Sequence, residues 1–157
     1  MPELPDIVVY VEALTARVVG QPIEAVRLRF PFILRSVSPP MRALVGHQVE
    51  SVERLGKRLV FKVNGAGFLV IHLMIAGRFR WLAKGQKLPG RIALAAFDFP
   101  NGTLVLTEAG TKRRASLHAV TSNAGLFSGI GNSYSDEILH RAPFAVNVVE
   151  TRNGRAK

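Results

Sequence analysis

Pro2 and Glu3, at the start of the chain, are the first residues whose chemistry could be catalytic. Initiator methionine is usually removed before a proline, which would leave Pro2 with a free secondary amine. The pKa of an α-amino group is about 7.7–8.0, against about 10.4 for lysine, so part of this amine is an uncharged nucleophile at neutral pH. Such amines form Schiff bases with carbonyl carbons such as C1′ of an opened sugar, and Glu3 could carry the proton. The alternative is that Pro2 and Pro5 only stiffen the entry to a helix.

Two further motifs could hold phosphate groups. Gly56-Lys57-Arg58 is a basic tight turn between two predicted strands, although Lys57 also fits an ordinary solvated turn. The run Gly129-Ile130-Gly131-Asn132 precedes a predicted helix, and glycines at that place expose backbone N–H groups that suit a phosphate. The same run also fits an ordinary loop-to-helix cap. Each motif is weak when taken alone.

A helix from about Asp6 to Val19 is the element that must position Pro2 and Glu3. The Asp6 carboxylate suits the positive end of the helix dipole, and Gly20 and Pro22 end the pattern. The apolar residues that recur at helical spacing are Ile7, Val11, Leu14 and Val18.

Beyond residue 22 the hydrophobic pattern changes to a period of two. It predicts seven strands, at 26–30, 49–55, 59–63, 68–75, 78–82, 92–99 and 103–107. Asn64-Gly65 and Pro100-Asn101-Gly102 are hairpin signals. The apolar segment 68–75 is typical of a strand that is buried on both faces, and the polar segment 84–91 is predicted to be a surface loop.

The composition shifts near residues 121–125, beyond which Ser135 to Ala142 is predicted to form a short helix and 148–157 a frayed end. We therefore predict a boundary near residue 120, between a larger domain over 1–120 and a short segment over 121–157. The predicted fold class is mainly β (α+β): a β-sandwich with an N-terminal helix and a short C-terminal helical remnant.

Charge and composition limit the class of function. The 157 residues include 21 Lys and Arg against 11 acids, a formal net charge of +10, which favours a nucleic acid or an anionic membrane as partner. Solubility or a ribosome-like structural role would also explain the charge. The absence of cysteine excludes disulfides and cysteine-ligated zinc, and the four histidines show no metal-ligand spacing. No segment resembles a signal peptide, and the longest apolar run is too short to span a bilayer.

In combination, these motifs resemble the formamidopyrimidine-DNA glycosylase / endonuclease VIII family of base-excision repair enzymes. The resemblance is carried by four segments in the family's order. These segments are Met1-Pro2-Glu3-Leu4-Pro5-Asp6, Arg54-Leu55-Gly56-Lys57-Arg58-Leu59, Ile71-His72-Leu73-Met74-Ile75-Ala76-Gly77 and Gly131-Asn132-Ser133-Tyr134-Ser135-Asp136-Glu137. The resemblance is close over residues 1–120, which it implies are the catalytic β-sandwich domain. The fourth segment resembles the second half of the family's helix–two-turns–helix module, so 121–157 would be a partial DNA-binding segment.

The resemblance implies a bifunctional DNA glycosylase/AP lyase that removes oxidised bases through an N-terminal proline Schiff base. Pro2 would attack C1′ of a nucleotide flipped out of the duplex, and Glu3 would act as acid and base during ring opening. Lys57 would contact the phosphate and assist β-elimination. The alternative is a non-catalytic nucleic-acid-binding remnant of the family; a basic structural protein would leave these three residues unexplained.

The resemblance also implies which residues bind DNA. His72 and Asn132 would hold backbone phosphates, which position the duplex without reading its sequence. Lys112 and Arg113 are the nearest candidates for the arginine that the family inserts beside the extruded base. We expect damaged DNA as the partner, a monomer, no membrane association, and a bacterial, cytoplasmic, nucleoid-associated protein.

The chain also departs from the family pattern. Asp6 stands where a glutamate is usual, Ile75 stands where the family has an inserted methionine, and segment 107–114 lacks the family's phenylalanine. The family has several tens of residues between the points that match His118-Ala119-Val120 and Leu126. It ends in a finger hairpin that often carries structural zinc. With no cysteine and fifteen residues after Ala142, we expect no finger, no metal and no cofactor here.

Overall fold

The computed structural model describes residues 3–36, 39–110 and 113–121. Within these residues the chain forms one α-helix and eight β-strands, joined between β1 and β2 by two short 3-10 helices, Pro31–Ile33 and Met41–Leu44. The helix and strands are α1 Leu4–Val18, β1 Ala25–Leu28, β2 Val49–Leu55, β3 Arg58–Val63, β4 Gly67–His72, β5 Gly77–Leu82, β6 Ala93–Phe99, β7 Gly102–Glu108 and β8 Ser116–Val120.

The strands form two four-stranded antiparallel sheets, in the orders β1-β6-β7-β5 and β2-β3-β4-β8. Apolar side chains from both sheets and from α1 form one core, in which Leu14, Phe61 and Phe97 are almost completely buried. This arrangement confirms the prediction of a mainly β sandwich with an N-terminal helix. Among the described residues, no helix is long and apolar enough to cross a bilayer.

Helix α1 begins at Leu4, two residues before its predicted start. Pro5 lies in the first turn, where a missing N–H leaves no hydrogen bond unmade. The Asp6 carboxylate accepts a hydrogen bond from the Glu3 backbone N–H at 2.9 Å, as the third residue of a helix does in a capping box. Glu3 is therefore the N-cap residue of α1, so its position is fixed by the helix.

The predicted strand over 68–75 is too long. Strand β4 ends at His72, and a turn leads into β5 at Gly77. A Cβ at Gly77 would lie 2.4 Å from the Leu73 carbonyl oxygen, so only glycine allows this close approach. The prediction that the strand is buried on both faces is confirmed from Phe68 to Ile71, but Ile75 is in the turn and is 51% exposed.

Strand β8 was not predicted from the hydrophobic pattern. It pairs with β4 and completes the second sheet. Its five residues alternate between half-buried and buried positions, with Leu117 and Ala119 facing the core. The predicted helix over Ser135–Ala142 and the segment 122–157 lie outside the described residues, and the division of the chain at residue 120 stays a prediction.

Candidate active site

The start of α1 lies beside the turn that joins β2 to β3. The Lys57 Nζ is 3.6 Å from the Glu3 Oε2. The Glu3 side chain is 68% exposed and the Lys57 side chain 30% exposed, so the pair remains open to a substrate. The structure therefore brings together two of the three residues predicted to be catalytic. Pro2, the third, is bonded to Glu3 but lies outside the described residues.

Local sequence explains why Lys57 stands at this turn. Leu55 and Arg58 are paired in register, which leaves Gly56 and Lys57 as a two-residue hairpin loop. Gly56 has a φ of 64°, a conformation that glycine adopts without strain and that the first central residue of such hairpins requires. Leu55 in β2 and Leu59 in β3 are completely buried and anchor the strands on either side of the loop. The loop is thus held rigidly with its lysine at the tip.

Helix α1 is fixed to the same sheet by its other end. The helix packs against β2 and β3, and the Gly20 N–H donates to the Val49 carbonyl at 2.8 Å where the chain leaves the helix. The buried residues Ile7, Leu14 and Val18 hold the helix on the core. Both ends of α1 are therefore tied to the sheet, which keeps Glu3 beside Lys57.

His72 lies next to this pair, at the end of β4. It is in register with Arg58, the residue after Lys57. Burial, and then the charges of Arg58, His118 and Lys57, lower the pKa of His72 to about 4. The ring is therefore neutral at pH 7, and it can donate an N–H to a phosphate oxygen without contributing a positive charge. His72 therefore lies close enough to Lys57 to feel its charge, and its contact with a backbone phosphate stays a prediction.

Arg113 lies apart from Glu3, Lys57 and His72. Its guanidinium lies 4.6 Å from the centroid of the Phe30 ring, and one of its N–H groups donates to the Arg91 carbonyl at 2.8 Å. It makes no hydrogen bond with the other three residues in the part of the chain that the structure describes. Its predicted role in DNA binding therefore stays a prediction. Lys112 and Asn132 lie outside the described residues.

A buried carboxylate fixes the segment that carries Arg113. Glu108, at the end of β7, is 1% exposed. Its Oε1 accepts hydrogen bonds from the backbone N–H groups of Arg114 at 2.8 Å and Ala115 at 3.2 Å. Sequence reasoning missed this residue, because one glutamate at the end of an apolar strand carries no distinctive pattern.

Sequence reasoning also missed His118. Strand β8 places it on the same sheet face as His72, because Val70 pairs with His118 and His72 pairs with Ser116. The alternation of polar and apolar residues over 116–120 was the available signal. Over the described ranges, no three His, Cys, Asp or Glu residues are grouped to hold a metal ion.

Comparison with known proteins identifies the family. The family model of the formamidopyrimidine-DNA glycosylase N-terminal domain matches residues 1–115. A formamidopyrimidine-DNA glycosylase of Carboxydothermus hydrogenoformans is 29% identical over 174 residues, covering 90% of this chain and 66% of the relative. The Mycoplasma pneumoniae enzyme of the same name is 30% identical over 104 residues, covering 65% of this chain and 38% of the relative.

Solved structures agree with the fold. A crystal structure of Lactococcus lactis Fpg in complex with DNA that contains an abasic site has a TM-score of 0.72 at 21% identity, covering 79% of this chain and 46% of that chain. The chain therefore spans less than half of this structural neighbour and at most 66% of the two curated relatives. The family match covers the helix, the Lys57 turn and the first seven strands. From this match, the chain belongs to the formamidopyrimidine-DNA glycosylase family.

Proposed function

We propose that this chain is a DNA glycosylase with AP-lyase activity, which removes damaged bases through a Schiff base on the amine of Pro2. Three findings support the proposal: the family match over residues 1–115, the fold shared with a DNA-bound Fpg structure, and the contact between Glu3 and Lys57. The substrate class is a damaged nucleotide in DNA, and the chemistry uses side chains and the terminal amine.

The reaction needs an amine, a proton carrier and a phosphate ligand. The lone pair of the Pro2 nitrogen forms a bond to C1′, and the damaged base leaves with the electrons of the glycosidic bond. Glu3 takes the proton that the Pro2 nitrogen loses after the attack and delivers it to the sugar ring oxygen as the C1′–O4′ bond breaks, which gives an iminium ion between Pro2 and C1′. Loss of a proton from C2′ then expels the 3′ phosphate by β-elimination, and Lys57 stabilises the departing phosphate. Hydrolysis of the iminium restores the amine.

One observation carries the proposal most directly. Glu3 and Lys57 are far apart in sequence, yet the start of α1 and the β2–β3 turn bring their charged atoms to 3.6 Å. A substrate sugar at the terminal amine would thus have a carboxylate and a cation within reach. A purely structural role for Pro2 and Pro5 would not require a lysine at that place.

Borohydride trapping tests the proposal. Sodium borohydride reduces a Schiff base to a stable amine, so a working Pro2 leaves a covalent protein–DNA adduct with an abasic strand. Pro2→Gly should reduce the yield of the adduct. Pro5→Ala is the matched control, because Pro5 belongs to the same segment but has no free amine, and its adduct yield should equal that of the wild type.

The second candidate function is binding of nucleic acid without catalysis. The formal net charge of +10 favours it, because phosphate neutralisation alone gives affinity for DNA. This candidate predicts salt-dependent binding with no trapped adduct. Trapping on abasic DNA therefore separates the two functions.

A further inference from the structure

The segment after the first 3-10 helix runs along the free edge of β8. Leu34 forms a parallel bridge with Leu117, and the Arg35 N–H donates to the Leu117 carbonyl at 2.8 Å. The Ser36 hydroxyl accepts a hydrogen bond from the Ala119 N–H at 2.8 Å. This segment extends the second sheet by one short strand-like element, and it places Arg35 beside His118.

His118 lies on the face of this sheet that is turned away from the sandwich core, since Leu117 and Ala119 face the core. On that face it is the diagonal neighbour of His72 across β4 and β8. Burial, and then the charges of Arg58 and Arg35, lower the pKa of His118. Two arginines from different elements therefore lie close to one neutral imidazole.

The two acidic residues of this sheet, Glu50 and Glu53, and Glu3 beside it all lie close to other cations. Glu50 pairs with Lys62 at 3.3 Å, the Lys62 charge also acts on Glu53, and Glu3 pairs with Lys57. Arg35 is exposed, and it makes no ion pair or side-chain hydrogen bond with any described residue.

A buried polar atom in the same cluster lacks a partner. The Nδ1 atom of His118 is inaccessible to solvent and has no hydrogen-bond partner among the residues described. Because no phosphate oxygen can reach a solvent-inaccessible atom, a ligand can contact this ring only through Nε2, which is not among the buried unpaired atoms. An anion with several acceptor oxygens could accept hydrogen bonds from an Nε2–H of His118 and from the exposed Arg35 guanidinium.

We propose that Arg35 and His118 bind a phosphodiester of a nucleic-acid strand, next to the phosphate assigned to Lys57 and His72; this site rests on the DNA binding of the proposed function. Adjacent strands lie about 4.8 Å apart, so the row from β3 across β4 and β8 to Arg35 spans about 14 Å. A single phosphate group is too small to reach both ends of that row. A nucleic-acid strand, with one phosphate at every nucleotide, fits it.

Binding of the 157-residue chain to an undamaged, fluorescently labelled single strand tests this site. Arg35→Gln should weaken binding several-fold at about 50 mM salt and reduce the slope of log K against log salt by about 0.7, the contribution of one phosphate on a single strand. Arg35→Lys should retain the slope. Lys87→Gln is the matched control, because it removes the same charge from an exposed loop residue, and it should change neither quantity.

His118→Gln should also weaken binding, and its melting curve establishes whether the half-buried substitution has disturbed the fold. The site is wrong if Arg35→Gln binds with the affinity and salt slope of Lys87→Gln. That result would leave the proposed function intact as long as borohydride trapping persists. Conversely, Arg35→Gln could bind more weakly than Lys87→Gln while the wild type forms no trapped adduct. That result would support the phosphate site and contradict the enzymatic proposal.

Discussion

At the scale of single residues, the proposed reaction needs different contributions from Pro2, Glu3, Lys57 and His72. In the proposed reaction, Pro2 and Glu3 would act on the sugar, whereas Lys57 and His72 would act on phosphates. Lys57 is charged and His72 is neutral at pH 7. Their substitution should therefore have different consequences, because only one of them contributes a formal charge to the transition state.

Lys57→Gln should slow strand cleavage on abasic DNA by about 10- to 100-fold, because a hydrogen bond to a charged group contributes about 1.5–3 kcal/mol. The melting temperature should change little, since the lysine pairs with a largely exposed carboxylate and such surface pairs contribute about 0–1 kcal/mol. Single-turnover cleavage and thermal denaturation measure the two effects, with Lys87→Gln as control. A large drop in melting temperature would show that Lys57 is structural.

The pKa of His72 should be about 4 in the free chain, as a pH titration of its ring resonances by NMR would show. Bound DNA should raise this pKa, because a phosphate favours the protonated ring. A pKa that DNA leaves unchanged would argue that His72 does not contact phosphate.

The same depressed pKa affects stability. The ordinary pKa of 6.5 exceeds that of the folded state, so the unfolded state binds more protons as pH falls from about 6.5 towards 4. The free energy of unfolding should therefore decrease as pH falls from about 6.5 towards 4, and His72 should not affect it above that range. His72→Gln should lose less stability than the wild type over the same range, as melting curves at each pH would show.

At the scale of elements, the helices and turns with the strongest local sequence signals were predicted most accurately. The helical spacing of Ile7, Leu14 and Val18 predicted α1, and the turn at Asn64-Gly65 predicted the hairpin between β3 and β4. Lys57 was placed correctly between two strands. Each of these elements is specified by nearby residues alone.

Elements that depend on distant partners were harder to predict. Strand β8 is only five residues long and depends on pairing with β4, so its own pattern was too short to identify. The end of β4 at His72 is set by the close contact between Leu73 and Gly77, whereas the apolar sequence continues to Ile75. The position of Arg35 beside His118 depends on a bridge between residues 34 and 117, which no local pattern reveals.

The β4–β5 turn contains a strained residue that gives an element-scale prediction. Met74 has a φ of 59°, the only positive φ of a non-glycine residue in the described ranges. In that conformation a Cβ costs about 1–2 kcal/mol. Met74→Gly should therefore be more stable than Met74→Ala by about 1 kcal/mol, although alanine usually has the advantage because it restricts the unfolded chain. Denaturant titration of the two variants tests this, and the opposite order would contradict the turn geometry.

At the scale of the whole molecule, the chain combines a complete sandwich with a strongly positive charge. The formal net charge of +10 favours association with DNA. The match to the Carboxydothermus hydrogenoformans relative covers 66% of that relative, so we expect the 157 residues, tested by themselves, to make fewer DNA contacts than a full-length relative. Fewer contacts should therefore weaken DNA binding more than they weaken the reaction at Pro2, Glu3 and Lys57.

This imbalance predicts a substrate preference. Extrusion of a base from a duplex costs a few kcal/mol, and the cost is least where the nucleotide is unpaired or already lacks its base. A chain with fewer contacts offsets less of that cost. We expect activity on abasic or single-stranded DNA to exceed excision of 8-oxoguanine from duplex DNA, as measured with labelled oligonucleotides under identical conditions. Efficient excision from the duplex would contradict this expectation.

We propose that the amine of Pro2 is the nucleophile, and mass spectrometry of the borohydride-trapped complex with an abasic strand tests this directly. We expect that the native protein begins at Pro2, that it forms one covalent adduct with DNA, and that peptide mapping finds the reduced sugar on the Pro2 nitrogen. Lys57→Gln should still form the adduct. Retention of Met1, absence of an adduct, or a sugar attached to a lysine would contradict the claim.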